Sequence, residues 1–394
     1  MSTSRPPVKT MIVMGTRPEV TKLGPVALEL RRYPEQFEVI LVGTGQHKDL
    51  MPQHLGLFGM TLDHDLEVMR PGQSLSGIAA RTIERMAALL DQSPPEVVMV
   101  EGDTNAVFAA GLAAFYRRIP VAHVEAGLRS GDIYSPFPEE MNRRLTGALA
   151  TVHFAPTPEA KANLLRENVP PTAIFVTGNT SIDALIFAAR RTAVSLPVPE
   201  EWLRGRRLVL VTAHRRESWG RGIEQICLAL AELAARFPDI AIVYAVHPNP
   251  AIRAVAEGIL LGTERVHLIP PADYEQFVGL MKHAYLILTD SGGVQEEAPS
   301  LGKPVLVMRE TTERTEGIAA GNAELVGTDR DTIVSRASHL LTNKRKYTAM
   351  ARVRNPYGDG RAAVRIRRAL AYHFGFTRRR PPDFATQNTR AKAR

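Results

Sequence analysis

The sequence predicts an α/β fold built from two doubly wound domains. Short apolar runs rich in Val, Ile and Leu recur along the chain, with helical stretches between them. The runs are continuous rather than alternating, as strands buried on both faces of a parallel sheet are. They fall into two series, separated by a Pro- and turn-rich stretch at residues 168–180. A chain of 394 residues is long enough for two cores.

The first series is MIVMG from Met11, FEVILVG from Phe37, VVMVEG from Val97, VAHVEAG from Val121 and VHFAP from Val152. The second is LVLVTAH from Leu208, IAIVYAVH from Ile240, VHLIP from Val266, YLILTD from Tyr285 and VLVM from Val305. A helical stretch at residues 362–372 is expected to return to the first domain. The N-terminal domain is then residues 1–177 plus 361–377, and the C-terminal domain is 178–360. Residues 378–394 lack apolar periodicity and are expected to form a disordered basic tail.

Hydrophobic residues make up 44% and charged residues 23%, an ordinary globular balance. No apolar run approaches a membrane span, no signal-peptide pattern precedes the first strand, and a cytoplasmic enzyme is expected. The single cysteine, Cys227, excludes an intrachain disulfide and sits in a helical apolar pattern, IEQICLALAEL, that reads as core. The net charge of +8 belongs to the C-terminal end: ten of 49 basic and one of 41 acidic residues lie from residue 361 onward. The rest carries 39 basic against 40 acidic residues, so nucleic acid is not an expected partner.

In doubly wound sheets ligands bind beyond the carboxyl ends of the strands. In the first domain GTRPEVTK places Arg17 and Lys22 there, two cations beside a turn, suited to phosphate or carboxylate. EGDTN places Asp103, readable equally as a helix cap or as a functional acid. HVEAGLRS adds Glu125. In PEEMNRR, Glu139 with Arg143 and Glu140 with Arg144 are spaced for surface ion pairs. Asp103, Glu125 and Glu139 or Glu140 together would give acid and base from one residue type.

In the second domain His214 follows a strand in TAHRRES, and His247 follows another in VHPNP. TDSGGVQEE, from Thr289, presents Ser291, Gly292 and Gly293 as an anion cup opening a short helix. Glu296 and Glu297 are expected in its first turn, where a carboxylate accepts hydrogen bonds from ribose hydroxyls. The cup therefore fits a nucleoside diphosphate better than bare phosphate. RETTERTEG supplies Arg309 and Arg314. P-loop, dinucleotide, zinc and GxSxG signatures do not occur in the sequence, so no cofactor or metal is expected.

GTRPE with Lys22, GDT, HVEAGLRS, PEEMNR, GNTSID, HRRES, TDSGGVQEE and LGKPVLVMRETTER occur in this order. The chain thereby resembles the non-hydrolysing UDP-N-acetylglucosamine 2-epimerase family over about residues 11–374. The resemblance implies a GT-B-like fold, two Rossmann-like domains with the nucleotide in a cleft, and a homodimer. It implies interconversion of UDP-N-acetylglucosamine (UDP-GlcNAc) and UDP-N-acetylmannosamine (UDP-ManNAc) by elimination and re-addition of UDP through a 2-acetamidoglucal, for cell-envelope polysaccharide. Asp103, Glu125 and Glu139 match the family's acid/base carboxylates. Arg17, Lys22, Arg143, His214 and Arg314 match residues around the diphosphate and sugar. Ser291, Gly292 and Gly293 match phosphate contacts, and Glu297 the ribose-binding acid. Gln46, His47, Arg215 and His247 match candidate positions for a second, allosteric UDP-GlcNAc, although Asp49 departs from that motif. A hydrolysing epimerase or a GT-B-like UDP-sugar glycosyltransferase is the alternative, and a UDP-sugar sensor acting through the basic tail is a third reading.

Overall fold

Two parallel sheets organise the chain in the computed structural model, which describes residues 5–45, 51–70, 72–191 and 195–385, residues 51–53 by backbone alone. Unit 1 comprises Met1–Ala184 with Gly358–Arg394, and unit 2 is Leu185–Tyr357. The divisions thus fall after residues 184 and 357 rather than after 177 and 360.

Unit 1 contains β1 (Val8–Met14), β2 (Phe37–Gly43), β3 (His64–Asp65), β4 (Val97–Glu101), β5 (Val121–Val124), β6 (Val152–Ala155) and β7 (Ile174–Val176). Their order is β3-β2-β1-β4-β5-β6-β7, every pair parallel. Strand order reverses between β1 and β4, and the exits of those strands flank the place where such sheets bind ligands. Met11, Val13, Val98 and Val100 pack with Met86, Leu90 and Val107 in one core cluster. Just past β5, Gly127 has φ +90°, and a Cβ there would stand 2.2 Å from the Ala160 carbonyl oxygen. Only glycine permits this approach of the helix Pro158–Arg166.

The helix Ala362–His373 belongs to unit 1. Asp183 caps it from a distance, accepting from the backbone N–H groups of Ala362 (3.1 Å) and Ala363 (3.0 Å). Arg367 fixes its side, 2.9 Å from Glu29 and 3.8 Å from the centroid of the Tyr33 ring.

Two expectations change here. The stretch 168–180 is not merely a break, because it holds β7, an edge strand only three residues long. Residues 378–385, expected to be disordered, are seated on that edge. Asp383 accepts from the Val176 N–H (3.0 Å), and the Phe384 N–H donates to the Val176 carbonyl (2.7 Å). Arg380 donates to the Pro171, Thr172 and Ile174 carbonyls and lies 4.1 Å from the Phe175 ring centroid. An open strand edge leaves backbone groups without partners, and this segment supplies them. Residues 386–394 lie outside the described residues.

Unit 2 contains β8 (Arg207–Thr212), β9 (Ile240–Ala245), β10 (Val266–Ile269), β11 (Ala284–Thr289), β12 (Val305–Val307) and β13 (Ala323–Leu325). The order β10-β9-β8-β11-β12-β13 repeats that of unit 1 without its last strand, again all parallel, and reverses between β8 and β11. Val209, Val211, Ile242, Leu288 and Leu306 share a core with Leu230 and Cys227, so the cysteine is a buried apolar filler. Among the described residues no helix is long and apolar enough to cross a membrane.

Candidate active site

The strand exits of unit 1 gather carboxylates. The helix Arg17–Arg31 follows β1 and opens with a capping box of Thr16 and Glu19. Glu19 turns back to the Gly15 and Thr16 N–H groups and is 2% exposed. One turn on, the Lys22 ammonium donates to Glu101 Oε1 (2.9 Å) and Glu125 Oε2 (2.6 Å). Glu101 ends β4 and is 2% exposed. Glu125 has φ +62°, a left-handed backbone that costs a non-glycine residue about 1 kcal/mol or more. Asn179 Nδ2 donates to the same Glu125 oxygen at 3.1 Å.

Asp103 pairs with the Arg143 guanidinium, and its carbonyl accepts from Asn142 Nδ2 at 3.0 Å. It is not the cap of the helix Asn105–Tyr116. Thr104 is, its hydroxyl accepting from the Val107 N–H. Beneath this turn, His123 Nε2 lies 2.8 Å from the Gly102 carbonyl and holds the backbone between Glu101 and Asp103.

Burial governs the acidities. It pushes the Glu19 carboxyl up against four opposing hydrogen bonds. It pushes Glu101 well up; Lys22 opposes this and the charges of Glu125 and Glu19 add to it. Asp103 is raised by burial and by Glu125, against Arg143 and Lys22. The imidazole of His123, buried and next to His153, is held neutral, down to about 3.

Glu139 and Glu140 part company. Glu140 is fully buried, accepting from the Ser130 N–H (3.0 Å) and Arg144 (3.0 Å), with Arg143 at 3.5 Å. The 140/144 pair is therefore internal rather than superficial, and the 139/143 pair does not form because Arg143 turns to Asp103. Glu139, half-buried at the start of the helix Glu139–Leu149, makes no hydrogen bond or ion pair among the described residues. Arg17 is exposed at the first position of its helix and likewise without an ion pair among them.

The exits of unit 2 gather donors instead. Asp290, fully buried after β11, accepts from the His214 N–H (2.6 Å) and the Arg215 N–H (2.7 Å), with His214 Nδ1 at 3.1 Å from its second oxygen. Burial raises this carboxyl, but His214 and those N–H groups more than offset it and hold it below the ordinary value. The His214 ring stacks on His247, centroids 5.9 Å apart. His247 therefore sits with His214, while Gln46 and His47 lie outside the described residues. Arg215 stands 3.7 Å from Glu313.

The helix beyond β11 is Gly292–Glu297, preceded by Ser291. It starts early enough that Glu296 and Glu297 end it, so they are not in its first turn as expected. Glu296 is 5% exposed and accepts from Arg314 Nε at 2.9 Å, whereas Glu297 is half-buried beside Tyr274. Arg314 also reaches Glu313 (2.8 Å), and a Cβ on Gly292 would stand 3.1 Å from its guanidinium. Gly293 is exposed and has no such close neighbour. Arg309 pairs with Glu217 (2.6 Å) and Glu313 (2.8 Å). Burial raises Glu313, but Arg314 and Arg309 bring it down to about 2.

The structure therefore brings Lys22, Asp103, Glu125 and Arg143 together in unit 1. In unit 2 it brings together His214, Arg215 and His247, and Ser291, Gly292 and Arg314. Sequence reasoning missed Glu101, Glu19, Asn179 and Asp290. Glu101 and Asp290 carried a signal: each is an acid at the end of a run that reads as a buried strand.

Two doubly wound sheets of one strand order define a GT-B-like α/β protein. A glycosyltransferase of kitacinnamycin, 12% identical, shares this fold at a TM-score of 0.63, with 92% of this chain and 98% of that one covered. The chain belongs to the UDP-N-acetylglucosamine 2-epimerase family, whose pattern it matches over residues 29–371. It is 52% identical over 370 residues to the UDP-N-acetylglucosamine 2-epimerase of Salmonella typhimurium, covering 92% of this chain and 98% of that one. It is also similar to a solved UDP-GlcNAc 2-epimerase from Neisseria meningitidis bound to UDP-GlcNAc, with 44% identity, TM-score 0.83, and 92% and 99% of the two chains covered.

Proposed function

We propose that the protein interconverts UDP-GlcNAc and UDP-ManNAc without hydrolysis. A carboxylate of unit 1 removes the C2 proton as the C1–oxygen bond breaks and UDP departs. The product is a 2-acetamidoglucal. A proton then returns to C2 from the opposite face, and UDP re-adds at C1, so atoms and charge balance. Asp103, Glu125 and Glu139 are the acid/base candidates. Lys22 and Arg143 orient them, and Arg17 contacts the diphosphate or sugar. In unit 2, His214, Ser291, Gly292, Gly293 and Arg314 retain the diphosphate, and Glu297 accepts from the ribose. The family resemblance extends to a cytoplasmic homodimer supplying cell-envelope polysaccharide, and we propose the same setting here.

The observation that carries this reading is the unit 1 cluster. Glu101 and Glu125 share Lys22, Asp103 pairs with Arg143, and Glu19 lies close enough to Glu101 to raise it; three of the four carboxyls are raised. Carboxyls raised by burial hold a proton to higher pH than ordinary ones, a property that suits acid/base work and that binding alone does not require. Chromatography of a UDP-GlcNAc reaction lacking NAD tests it. Two intact UDP-sugars at a stable ratio are expected. Stoichiometric free N-acetylmannosamine and UDP would replace the proposal with a hydrolysing epimerase.

A further inference from the structure

In unit 2 the backbone around His214 is pinned from several sides. The register pairs Thr289 of β11 with Thr212 of β8, so Asp290 and His214 emerge close together. The Ala213 carbonyl accepts from the Tyr244 hydroxyl at 3.2 Å, and the His214 carbonyl from Trp219 Nε1 at 3.1 Å. Asp290 Oδ2 takes the His214 and Arg215 N–H groups, at 2.6 Å and 2.7 Å. Its Oδ1 is also buried and meets no well-aligned donor among the described residues; His214 Nδ1 stands 3.1 Å from it. A buried carboxylate oxygen without a donor is costly, so the imidazole proton belongs on Nδ1. In the stacked His247 the reverse holds. The Asn249 N–H donates to its Nδ1 at 3.2 Å, so that ring in its neutral form carries the proton on Nε2. Two neighbouring imidazoles thus take opposite tautomers, and Asp290 is what distinguishes them.

We propose that Asp290 is a positioning residue for the diphosphate: it fixes the Nδ1–H tautomer of His214, leaves Nε2 as the nitrogen offered to a phosphate oxygen, and balances the imidazolium formed when Nε2 takes a proton from solvent. This rests on His214 being a diphosphate ligand. Burial raises the Asp290 carboxyl, but the imidazole and the two N–H groups more than offset it, so the negative charge behind the ring persists.

Asp290→Asn is nearly isosteric. Its amide oxygen keeps the two backbone N–H groups, which turns the amide N–H2 toward His214 Nδ1 and forces that ring to the Nε2–H tautomer. Long-range proton–nitrogen NMR of histidine-labelled protein without ligand, at a pH where imidazoles are neutral, reads both rings, with His214→Gln and His247→Gln as assignments. His214 is expected to switch from Nδ1–H to Nε2–H in Asp290→Asn, while His247 stays Nε2–H. Calorimetry is expected to show UDP binding to Asp290→Asn weakened about tenfold, because a neutral His214 donates without charge. In the His214→Gln background the same change is expected to cost less than about twofold further, since Asp290 acts through His214. An Nε2–H tautomer of His214 in the unaltered protein would overturn the proposal. So would an equal loss of affinity in the His214→Gln background, or a change of both rings together in Asp290→Asn, which would make Asp290 a support of the turn as a whole. Unchanged UDP affinity in His214→Gln would instead refute the reading of His214 as a diphosphate ligand, a failure that the tautomer measurement, made without UDP, keeps distinguishable.

Discussion

At the first switch point, β1 and β4 lead into Glu19, Glu101 and Asp103, with Glu125 beside them. At the second, β8 and β11 lead into N–H groups gathered by Asp290 and into arginines matched by Glu296 and Glu313. The strand order is the same, and the titration behaviour is opposite. In unit 1 buried carboxyls outnumber their cations, and Glu19, Glu101 and Asp103 are raised. In unit 2 Asp290 and Glu313 meet enough donors to be lowered, Glu313 to about 2. One fold thus holds carboxyls with raised pKa at one sheet and lowered ones that gather donors at the other. What differs is how far donors offset burial: hydrogen bonds and charges outweigh it at Asp290 and Glu313 and do not at Glu19, Glu101 and Asp103.

The largest expected effect breaks the comparison on the unit 1 side. Asp103→Asn, Glu125→Gln and Glu139→Gln should each lower turnover by about a hundredfold or more while UDP affinity stays within a few-fold. Calorimetry alongside a turnover assay reads both, and near-normal turnover in all three would remove the acid/base assignment. On the unit 2 side, Arg314→Ala should weaken UDP binding by roughly 10–100-fold, the scale of a lost charge-assisted hydrogen bond. Glu297→Gln should weaken it by less. Unchanged affinity in both would separate that cluster from the nucleotide.

Smaller effects concern what holds the unit 1 turn in place. His123 and His153 are buried and neutral, lowered to about 3 and about 4 from an ordinary 6.5. The unfolded chain takes up their protons as pH falls through 6.5, while the folded chain resists until about 4. Their contribution to stability is therefore full above 6.5 and is lost as pH falls towards 4. Thermal melts over that range should show the loss, and His123→Phe should flatten it. The smallest effect is Asp183→Ala, which removes the cap of the helix Ala362–His373 and should cost about 1 kcal/mol in denaturant unfolding.

Much of this was legible in the sequence. Ten short apolar runs became strands because buried parallel strands are continuous in composition. β3 and β13 were not legible, since His64–Asp65 and Ala323–Leu325 are not apolar runs, and β7, though apolar, stands just past Pro170-Pro171 in a stretch that reads as a break. Lys22, Asp103 and Glu125 were legible as residues at strand exits, but the pairing of Lys22 with Glu125 and of Asp103 with Arg143 was not and comes from the structure. Glu101 stayed hidden because a strand's last residue looks like strand, and its partner Lys22 lies 79 residues away. Arg143 answers to Asp103 rather than to Glu139 because a tertiary carboxylate outcompetes a helical neighbour. The docking of residues 378–385 depends on the open edge of β7, which composition does not reveal.

The measurement closest to the central claim is a proton NMR time course of UDP-GlcNAc in D2O, with no NAD or metal added. Carboxylates that exchange protons with solvent should place deuterium at C2 as UDP-ManNAc appears, and Glu125→Gln should slow both together. UDP-ManNAc formed with its C2 hydrogen retained as protium would contradict the account.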